Sequence, residues 1–240
     1  MSRAKRKQRE FDRSFKDKFA DERKPEPIVA KTSKQKEYLY NLYNSYVNIS
    51  IGPAGTGKTF LPSSLAADML RECKIERIIV ARPYVQTGRS SGLKPGDTAS
   101  KMFAYVRNVL DTVRKRIGDA AYNIAFKDGL TGQIEICELE SIRGRSFDDK
   151  CWVILDEMQQ SRKDEMIALM TRFDDDCRIT ICGDINQKDI RGQDGLSWFM
   201  DFVERHNLSI PITEFSSDDI VRGGLVKDIV KGLEKDGEFN

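Results

Sequence analysis

Short apolar runs alternate along the chain with stretches in which apolar residues recur every three or four positions. The short runs are typical of buried strands, and the longer period is typical of amphipathic helices. The pattern predicts strands over residues 47–51, 75–81, 133–138, 151–155, 177–183 and 210–215. It predicts helices over residues 33–46, 58–71, 100–117, 161–173, 195–206 and 218–234. Strands that alternate with helices favour an α/β fold, with a mostly parallel sheet and helices on both faces.

The first 30 residues differ from this pattern. Residues 1–31 contain eleven Lys and Arg against six Asp and Glu, with few apolar side chains. Such a segment buries too little apolar surface to fold alone. We therefore expect a basic, disordered arm over residues 1–30 and a single domain over residues 31–240. The arm either contacts nucleic acid or is a solvated tail, and its composition fits both alternatives.

Composition limits the class of protein further. The net charge of +2 is too small for a globally basic chain. No apolar run approaches the ~18 residues of a membrane span, and the first residues show no secretory signal. The five cysteines are widely spaced and the chain has one histidine, so no zinc-site spacing occurs. We expect reduced thiols, a cytoplasmic location and no membrane partner.

The loop after the first predicted strand carries the most specific motif. It reads Gly52, Pro53, Ala54, Gly55, Thr56, Gly57, Lys58 and Thr59. A strand followed by G-x-x-x-x-G-K-[ST] and a helix is the pattern of a nucleoside triphosphate site. The glycines let backbone N–H groups turn towards phosphate oxygens, and the helix start adds partial positive charge. We expect Lys58 to reach the β- and γ-phosphates and the Thr59 hydroxyl to ligate Mg²⁺.

Two later strands end in polar residues that complete such a site. Asp156 and Glu157 follow the apolar run 151–155, and Gln187 follows the run 177–183. Ligands of α/β folds bind at the carboxyl ends of parallel strands. Asp156 is predicted to hold the Mg²⁺ shell, and Glu157 to orient and deprotonate an attacking water. Gln187 is predicted to lie beside the γ-phosphate and to sense its hydrolysis.

In this order the motifs resemble the first motor domain of superfamily 1 helicases and, more closely, the PhoH-like ATPases. The similarity covers residues 30 to 235. Its supporting segments are residues 32–38, 52–59, 81–83, 92–97, 143–145, 153–160, 183–187 and 219–222. The resemblance implies a RecA-like P-loop NTPase domain that uses ATP and Mg²⁺.

The resemblance also indicates weaker candidates. Gln35 looks like the family's adenine-reading glutamine, since an amide accepts from the adenine amine while it donates to N7. Arg222 matches a family position whose side chain contacts the γ-phosphate. Arg82 follows a strand end that borders the nucleic-acid track in the resembled helicases, although an ion pair explains it equally well. Arg143 and Arg145 form a basic loop that either acts in trans as an arginine finger, touches RNA or is solvated.

Together these features predict a helicase-like, Mg²⁺-dependent ATPase that binds or remodels single-stranded nucleic acid, with RNA favoured over DNA. One phosphate loop leaves the site open on one side, so a neighbouring subunit is expected to complete it in a ring-shaped hexamer. A different class remains open, namely an ATP-dependent regulatory switch that acts on a protein partner without motor activity. A small-molecule kinase is a third alternative, against which the strand end at residues 183–187 argues.

Overall fold

The computed structural model describes residues 25–83, 98–127, 129, 132–142, 147, 150–187 and 192–237 of the 240-residue chain. Its sheet has six strands: β1 (Val47–Ile51), β2 (Arg77–Arg82), β3 (Ile134–Glu138), β4 (Cys151–Leu155), β5 (Arg178–Gly183) and β6 (Ile212–Glu214). The strand order is β3-β2-β4-β5-β1-β6, and every neighbouring pair is parallel. All six predicted strands are therefore present, in the parallel sheet that their alternation with helices indicated.

Eight helices flank the sheet within the described ranges. They are α1 (Ser33–Asn44), α2 (Phe60–Arg71), α3 (Thr98–Ile117), α4 (Asp119–Phe126), α5 (Leu139–Ile142), α6 (Lys163–Met170), α7 (Gly195–Arg205) and α8 (Gly224–Lys235). Two single turns of 3₁₀ helix cover Met158–Gln160 and Ser217–Asp219. The pattern missed α4 and α5, which at eight and four residues are too short to show a clear helical period.

The predicted helix 218–234 is interrupted. The Asp219 carboxylate accepts from the backbone N–H of Ser216 at 3.1 Å, which closes a separate turn, and α8 starts only after Gly223. Glycine lowers helix propensity by about 1 kcal/mol, so the Gly223–Gly224 pair favours a break at this place. Arg222 consequently lies in the connection between the turn and α8, and not within the predicted helix.

The sheet is buried on both faces. Successive side chains of a strand point to opposite sides. In β4, Trp152 and Ile154 pack under α1 to α4, whereas Val153 and Leu155 pack under α6 and α7. All five residues of β4 are buried, as expected of a parallel strand that is covered by helices on both sides. Helices therefore cover the sheet on both faces.

Two expectations from composition can be compared with the fold. All five cysteines are free thiols, and four of them are buried while Cys73 is exposed. The sulfur atoms of Cys151 and Cys177 lie 2.7 Å apart, where β4 and β5 begin. Within the described ranges, no helix has both the length and the apolar character needed to cross a membrane.

Candidate nucleotide-binding site

The predicted site residues meet at one edge of the sheet. The loop 52–59 joins the carboxyl end of β1 to α2, and β4 and β5 end at the same edge. A cavity of about 720 Å³ opens there. The predicted residues that line it are Ala54, Gly55, Gly57, Lys58, Thr59, Asp156, Glu157, Gln187 and Arg222. Four separate segments of the chain therefore contribute to one cavity, and the first three of them follow strand ends, as predicted.

The loop depends on glycine at two positions. Gly52 has φ +131°, and a Cβ there would collide with the carbonyl oxygen of Phe215. Gly57 has φ +96°, and a Cβ there would lie 2.9 Å from the Gln35 amide nitrogen. Residues with a side chain rarely adopt such φ values. Both positions therefore favour glycine for two reasons, the backbone conformation and the lack of room for a Cβ. The curled loop is therefore set before any ligand binds.

Gln35 supports this loop from behind. Its amide nitrogen donates to the carbonyl oxygen of Thr56 at 2.8 Å, and its amide oxygen accepts from the backbone N–H of Lys31 at 2.8 Å. The residue is only 3% exposed. An amide has two donor protons and two acceptor lone pairs, so each group keeps one free for a further partner. Adenine reading by Gln35 stays a prediction, beside a structural role that its sequence position did not reveal.

Lys58 folds back over the loop. Its ammonium group donates to the carbonyl oxygens of Gly52 and of Pro53, the latter at 2.8 Å. Burial lowers the pKa of Lys58, and the nearby carboxylate of Asp184 acts in the opposite direction. The hydrogen bonds of this half-buried cation go to neutral carbonyl oxygens, so the phosphate oxygens of a nucleotide would be stronger partners.

Thr59 and Asp156 form the candidate metal site. The Thr59 hydroxyl donates to a carboxylate oxygen of Asp156 at 2.8 Å. Burial raises the pKa of Asp156, the charge of Glu157 raises it further, and the bond from Thr59 lowers it. Hydroxyl and carboxylate oxygens are ligands that Mg²⁺ accepts, and protein Mg²⁺ sites commonly use one or two carboxylates together with substrate phosphates. These two residues therefore fit the role that the sequence predicted for them.

A second amide, which the motif analysis did not single out, positions the acid after β4. Gln159 is fully buried, and its amide nitrogen donates to the Glu157 carboxylate at 2.7 Å. Its amide oxygen accepts from the backbone N–H of Asp184 at 3.0 Å. Gln159 thus links the carboxyl ends of β4 and β5 and holds the Glu157 side chain. The sequence signal was a polar amide two residues after the acid pair.

Glu157 itself has an unusual backbone. Its φ and ψ are +54° and +40°, the left-handed region that non-glycine residues seldom occupy. Such conformations cost about 1–3 kcal/mol and persist where the surrounding structure enforces them, often at functional sites. The conformation turns the chain sharply between β4 and the Met158–Gln160 turn, so that Glu157 lines the cavity beside Asp156.

Gln187 and Arg222 are exposed residues of the cavity lining. The carbonyl oxygen of Gln187 accepts from the Gln160 amide at 3.1 Å, and Gln187 itself is exposed. The backbone N–H of Val221 donates to the carbonyl oxygen of Gly55 at 3.1 Å, which places the side chain of Arg222 against the phosphate loop. Arg222 is therefore an exposed cation within the cavity, as its predicted contact to the γ-phosphate requires.

Arg82 lies apart from the residues that line this cavity. Arg82 ends β2, donates to the carbonyl oxygen of Tyr105 at 3.4 Å and lies 5.4 Å from the centre of the Tyr105 ring. It is not among the residues that line the cavity. Arg143 and Arg145 lie outside the described residues, so their predicted roles stay predictions.

Comparison with known proteins assigns the family. A family model described as PhoH-like protein matches residues 27–234. The chain belongs to the PhoH-like protein family. A PhoH-like protein of Bacillus subtilis (strain 168) is 32% identical over 227 residues, which are 94% of this chain and 70% of that protein. Protein PhoH of Escherichia coli (strain K12) is 33% identical over 207 residues, and the match covers 85% of this chain but only 58% of that relative.

Solved structures similar to this PhoH-like chain confirm the fold class. The large terminase from a thermophilic bacteriophage has a TM-score of 0.56 at 13% identity, over 86% of this chain and 50% of that chain. The UvsW helicase from bacteriophage T4 has a TM-score of 0.51 at 11% identity, over 85% of this chain and 67% of that chain. At such low identity the similarity shows the fold alone, a RecA-like P-loop NTPase domain.

The raised pKa of Asp156 in this family member predicts a pH-dependent stability change. Because the folded state raises the pKa of Asp156, ionised Asp156 lowers the free energy of unfolding at neutral pH. Asp156→Asn removes that charge and keeps an oxygen that accepts from Thr59. Without nucleotide or Mg²⁺, the variant is expected to be more stable than the wild type at pH 7.5. The difference should shrink as the pH falls through the folded pKa and vanish below the ordinary value of 3.8.

Urea unfolding at several pH values, with a chelator present, measures this difference. The matched control is Asp176→Asn, since Asp176 is an exposed aspartate away from the cavity. The control should change the free energy of unfolding by less than about 0.5 kcal/mol at every pH. An Asp156→Asn variant that is less stable than the wild type at pH 7.5 contradicts the prediction.

Proposed function

We propose that this protein is a Mg²⁺-dependent ATPase that couples ATP hydrolysis to the binding or remodelling of single-stranded nucleic acid, with RNA favoured over DNA. The observation that carries the proposal is the convergence of Lys58, Thr59, Asp156 and Glu157 on one cavity. The hydrogen bond from Thr59 to Asp156 joins the phosphate loop to the acid strand end directly. A phosphate-binding loop beside a half-buried acid pair supports hydrolysis better than it supports nucleotide storage.

The reaction is the attack of a water oxygen on the γ-phosphorus, with cleavage of the bond to the β,γ-bridging oxygen. Glu157 orients this water and accepts its proton, and Gln159 holds the carboxylate for that task. Lys58 and Arg222 bind the charge on the phosphates, and Gln187 lies beside the γ-phosphate. Mg²⁺, when bound by Thr59 and Asp156, supplies further charge neutralisation.

Adenine is the proposed base. Gln35 has one amide proton and one oxygen lone pair beyond those in its contacts with Thr56 and Lys31. An adenine offers the matching acceptor and donor at N7 and its amino group, whereas guanine has O6 in place of that amino group. On this assignment Gln35 both supports the loop and reads the nucleotide.

Nucleic acid is the proposed partner, supported by the end of β2. Arg82 offers a cation there, and Tyr105 offers an aromatic ring that is 49% exposed. Phosphates bind arginine, and unpaired bases stack on aromatic rings, so this pair suits a single strand. The structurally similar proteins named above are a helicase and a terminase. The basic arm over residues 1–30 supplies further cations, although residues 1–24 lie outside the described part of the chain.

We expect Glu157→Gln to separate binding from hydrolysis. The variant should keep ATP affinity and lose at least ~100-fold in turnover, since it removes the base and keeps the size of the side chain. Lys58→Ala should lose turnover and, unlike Glu157→Gln, should also lose ATP affinity. The loss of affinity should be about tenfold or more, because a charge-assisted contact to the phosphates is removed. Calorimetric titration and steady-state phosphate release measure the two quantities.

The matched control is Glu204→Gln, since Glu204 is exposed on α7 and lies outside the cavity. It should resemble the wild type in both assays. Near-wild-type turnover in Glu157→Gln would remove Glu157 from its role.

Stimulation of ATP turnover by nucleic acid distinguishes the proposal from a regulatory switch. Single-stranded RNA should raise the turnover number severalfold, single-stranded DNA should raise it less, and Arg82→Ala should weaken both effects. Arg205→Ala, which removes an exposed arginine from α7, is the control and should respond like the wild type. Turnover that is indifferent to RNA and to single-stranded DNA favours the switch that acts on a protein partner.

A ring-shaped hexamer is the proposed assembly. Arg222 is an exposed residue of the cavity lining, and α8 begins two residues later. The side chains of Leu225, Val226, Ile229 and Leu233 on α8 are between 36% and 74% exposed. A second copy that covers this apolar face would also lie beside Arg222 and the cavity, and head-to-tail contacts of this kind can close into rings. In that arrangement Arg143 or Arg145 of the neighbouring subunit reaches the γ-phosphate.

We expect Ile229→Asp to dissociate the assembly. A buried, unpaired carboxylate at a subunit contact is strongly unfavourable, so the variant should be monomeric at micromolar concentration with ATP and Mg²⁺. Light scattering coupled to size-exclusion chromatography measures the mass. Ile167→Asp on α6 is the control, since Ile167 is 41% exposed on another helix, and it should leave the mass unchanged. A wild-type protein that is monomeric with full turnover contradicts the shared site.

A further inference from the structure

The cavity is longer than a triphosphate site requires. Beyond Lys58 and Thr59 it continues along α2, where Phe60 and Ser64 line it. These two residues are four positions apart, so they lie on one face of the helix. In the proposed function the phosphates take the loop and the strand ends, so this second arm of the cavity is left for a different occupant or a different part of the same ligand.

The opposite wall of the arm is formed by α3. Asn108, Thr112 and Lys115 line it, at spacings of four and three residues that place them on one face of α3. The arm is therefore a groove between two helices, which we call the α2–α3 groove. It is walled by Phe60 and Ser64 on one side and by Asn108, Thr112 and Lys115 on the other.

An ion pair closes the far end of the α2–α3 groove. Arg116 donates to both carboxylate oxygens of Asp68, at 2.7 and 2.6 Å, and to the backbone carbonyl oxygen of Glu26 at 3.1 Å. The two side chains are only 14% and 24% exposed. A bidentate, half-buried pair of this kind holds α2, α3 and the segment at residues 25–26 together. The groove consequently has a fixed length and a defined end.

Two side chains in the groove lack the partners that their chemistry favours. Ser64 is fully buried, and within the described part of the chain its hydroxyl oxygen has no hydrogen-bond partner. Buried polar atoms are nearly always paired, so an unpaired one in a cavity wall indicates a missing ligand or water. Phe60 is 55% exposed, although it directly follows the phosphate loop and lines the cavity. An uncovered aromatic ring at this place suits a flat partner.

The lining favours a nucleoside over a polyanion. The groove combines an aromatic ring, an amide at Asn108 and hydroxyl groups, which match a base and a ribose. The positive charge of its single lysine, Lys115, is offset by the carboxylates of Asp111 in the same wall and of Glu26 at the closed end. A nucleic-acid strand carries one negative charge per nucleotide and would meet these carboxylates, whereas a nucleoside is neutral.

We propose that the nucleoside half of the bound triphosphate lies in the α2–α3 groove, with its base stacked on Phe60 and its polar groups bonded by Asn108. This inference rests on the proposed function of the neighbouring phosphate site, and it adds the residues that bind the base and the sugar. Phe60 contacts one face of the base in this arrangement.

Binding of ATP and of inorganic tripolyphosphate tests the assignment, because tripolyphosphate lacks the nucleoside. Phe60→Ala should weaken ATP binding about tenfold, a change of ~1.4 kcal/mol in the range of one base–aromatic stack, and leave tripolyphosphate binding unchanged. Phe60→Tyr, which keeps the ring, should retain ATP affinity. Tyr40→Ala is the control, since Tyr40 is an exposed aromatic residue on α1 outside the cavity, and it should change neither affinity.

A Phe60→Trp variant gives a second readout that does not depend on turnover. ATP should quench the fluorescence of the new tryptophan by stacking, measured against the wild type, and tripolyphosphate should not. The proposal is overturned if Phe60→Ala weakens the binding of ATP and of tripolyphosphate equally, or weakens neither. Quenching by single-stranded RNA in place of ATP also overturns it, in favour of a strand in the groove. If Lys58→Ala binds tripolyphosphate as tightly as the wild type, the proposed phosphate site is wrong, whatever the result at Phe60.

Discussion

The hydrogen bond from Thr59 to Asp156 joins two strands that are not neighbours in the sheet. Thr59 follows β1 and Asp156 follows β4, and β5 lies between them. The bond therefore forms only if β5 sets the correct separation. The backbone N–H of Gly52 donates to the carbonyl oxygen of Gly183 at the end of β5, and Gln159 accepts from Asp184 in the same place. The geometry of the site thus depends on parallel strands that end in register.

Much of this arrangement could be predicted from local sequence. Strands 47–51 and 151–155 match the structure residue for residue. Strand 151–155 is a continuous apolar run, as expected of a strand buried on both faces, whereas in strand 47–51 the apolar residues alternate with Asn48 and Ser50. The phosphate loop and the acid pair were found because their chemistry needs fixed residue types at fixed spacing. The break at Gly223 and the short helix α4 were not predicted, since local propensity is weak over a few residues.

What the sequence did not reveal depends on long-range neighbours. Gln159 matters because β5 lies beside β4, and Gln35 supports Thr56 because α1 packs behind the loop, 21 residues earlier in the chain. The α2–α3 groove likewise exists only where Phe60 and Asn108 face one cavity from two helices. Residues of this kind carry no motif of their own. Their roles become visible only when the topology is known. Each is nevertheless a polar or aromatic residue that its own helix or turn does not require.

The site also connects nucleotide binding with the C-terminal helix. Arg222 lies against Gly55 of the phosphate loop, and α8 starts two residues later, so one short connection carries both the cation and the apolar face. A nucleotide that attracts Arg222 also restrains the start of α8, and a subunit that covers α8 restrains Arg222. Such coupling is reciprocal: if the nucleotide favours assembly, assembly must raise nucleotide affinity by the same factor. Half-buried Lys58 and Asp156 add to this coupling, because burial disfavours the charged form of each and bound phosphates with a cation would favour it.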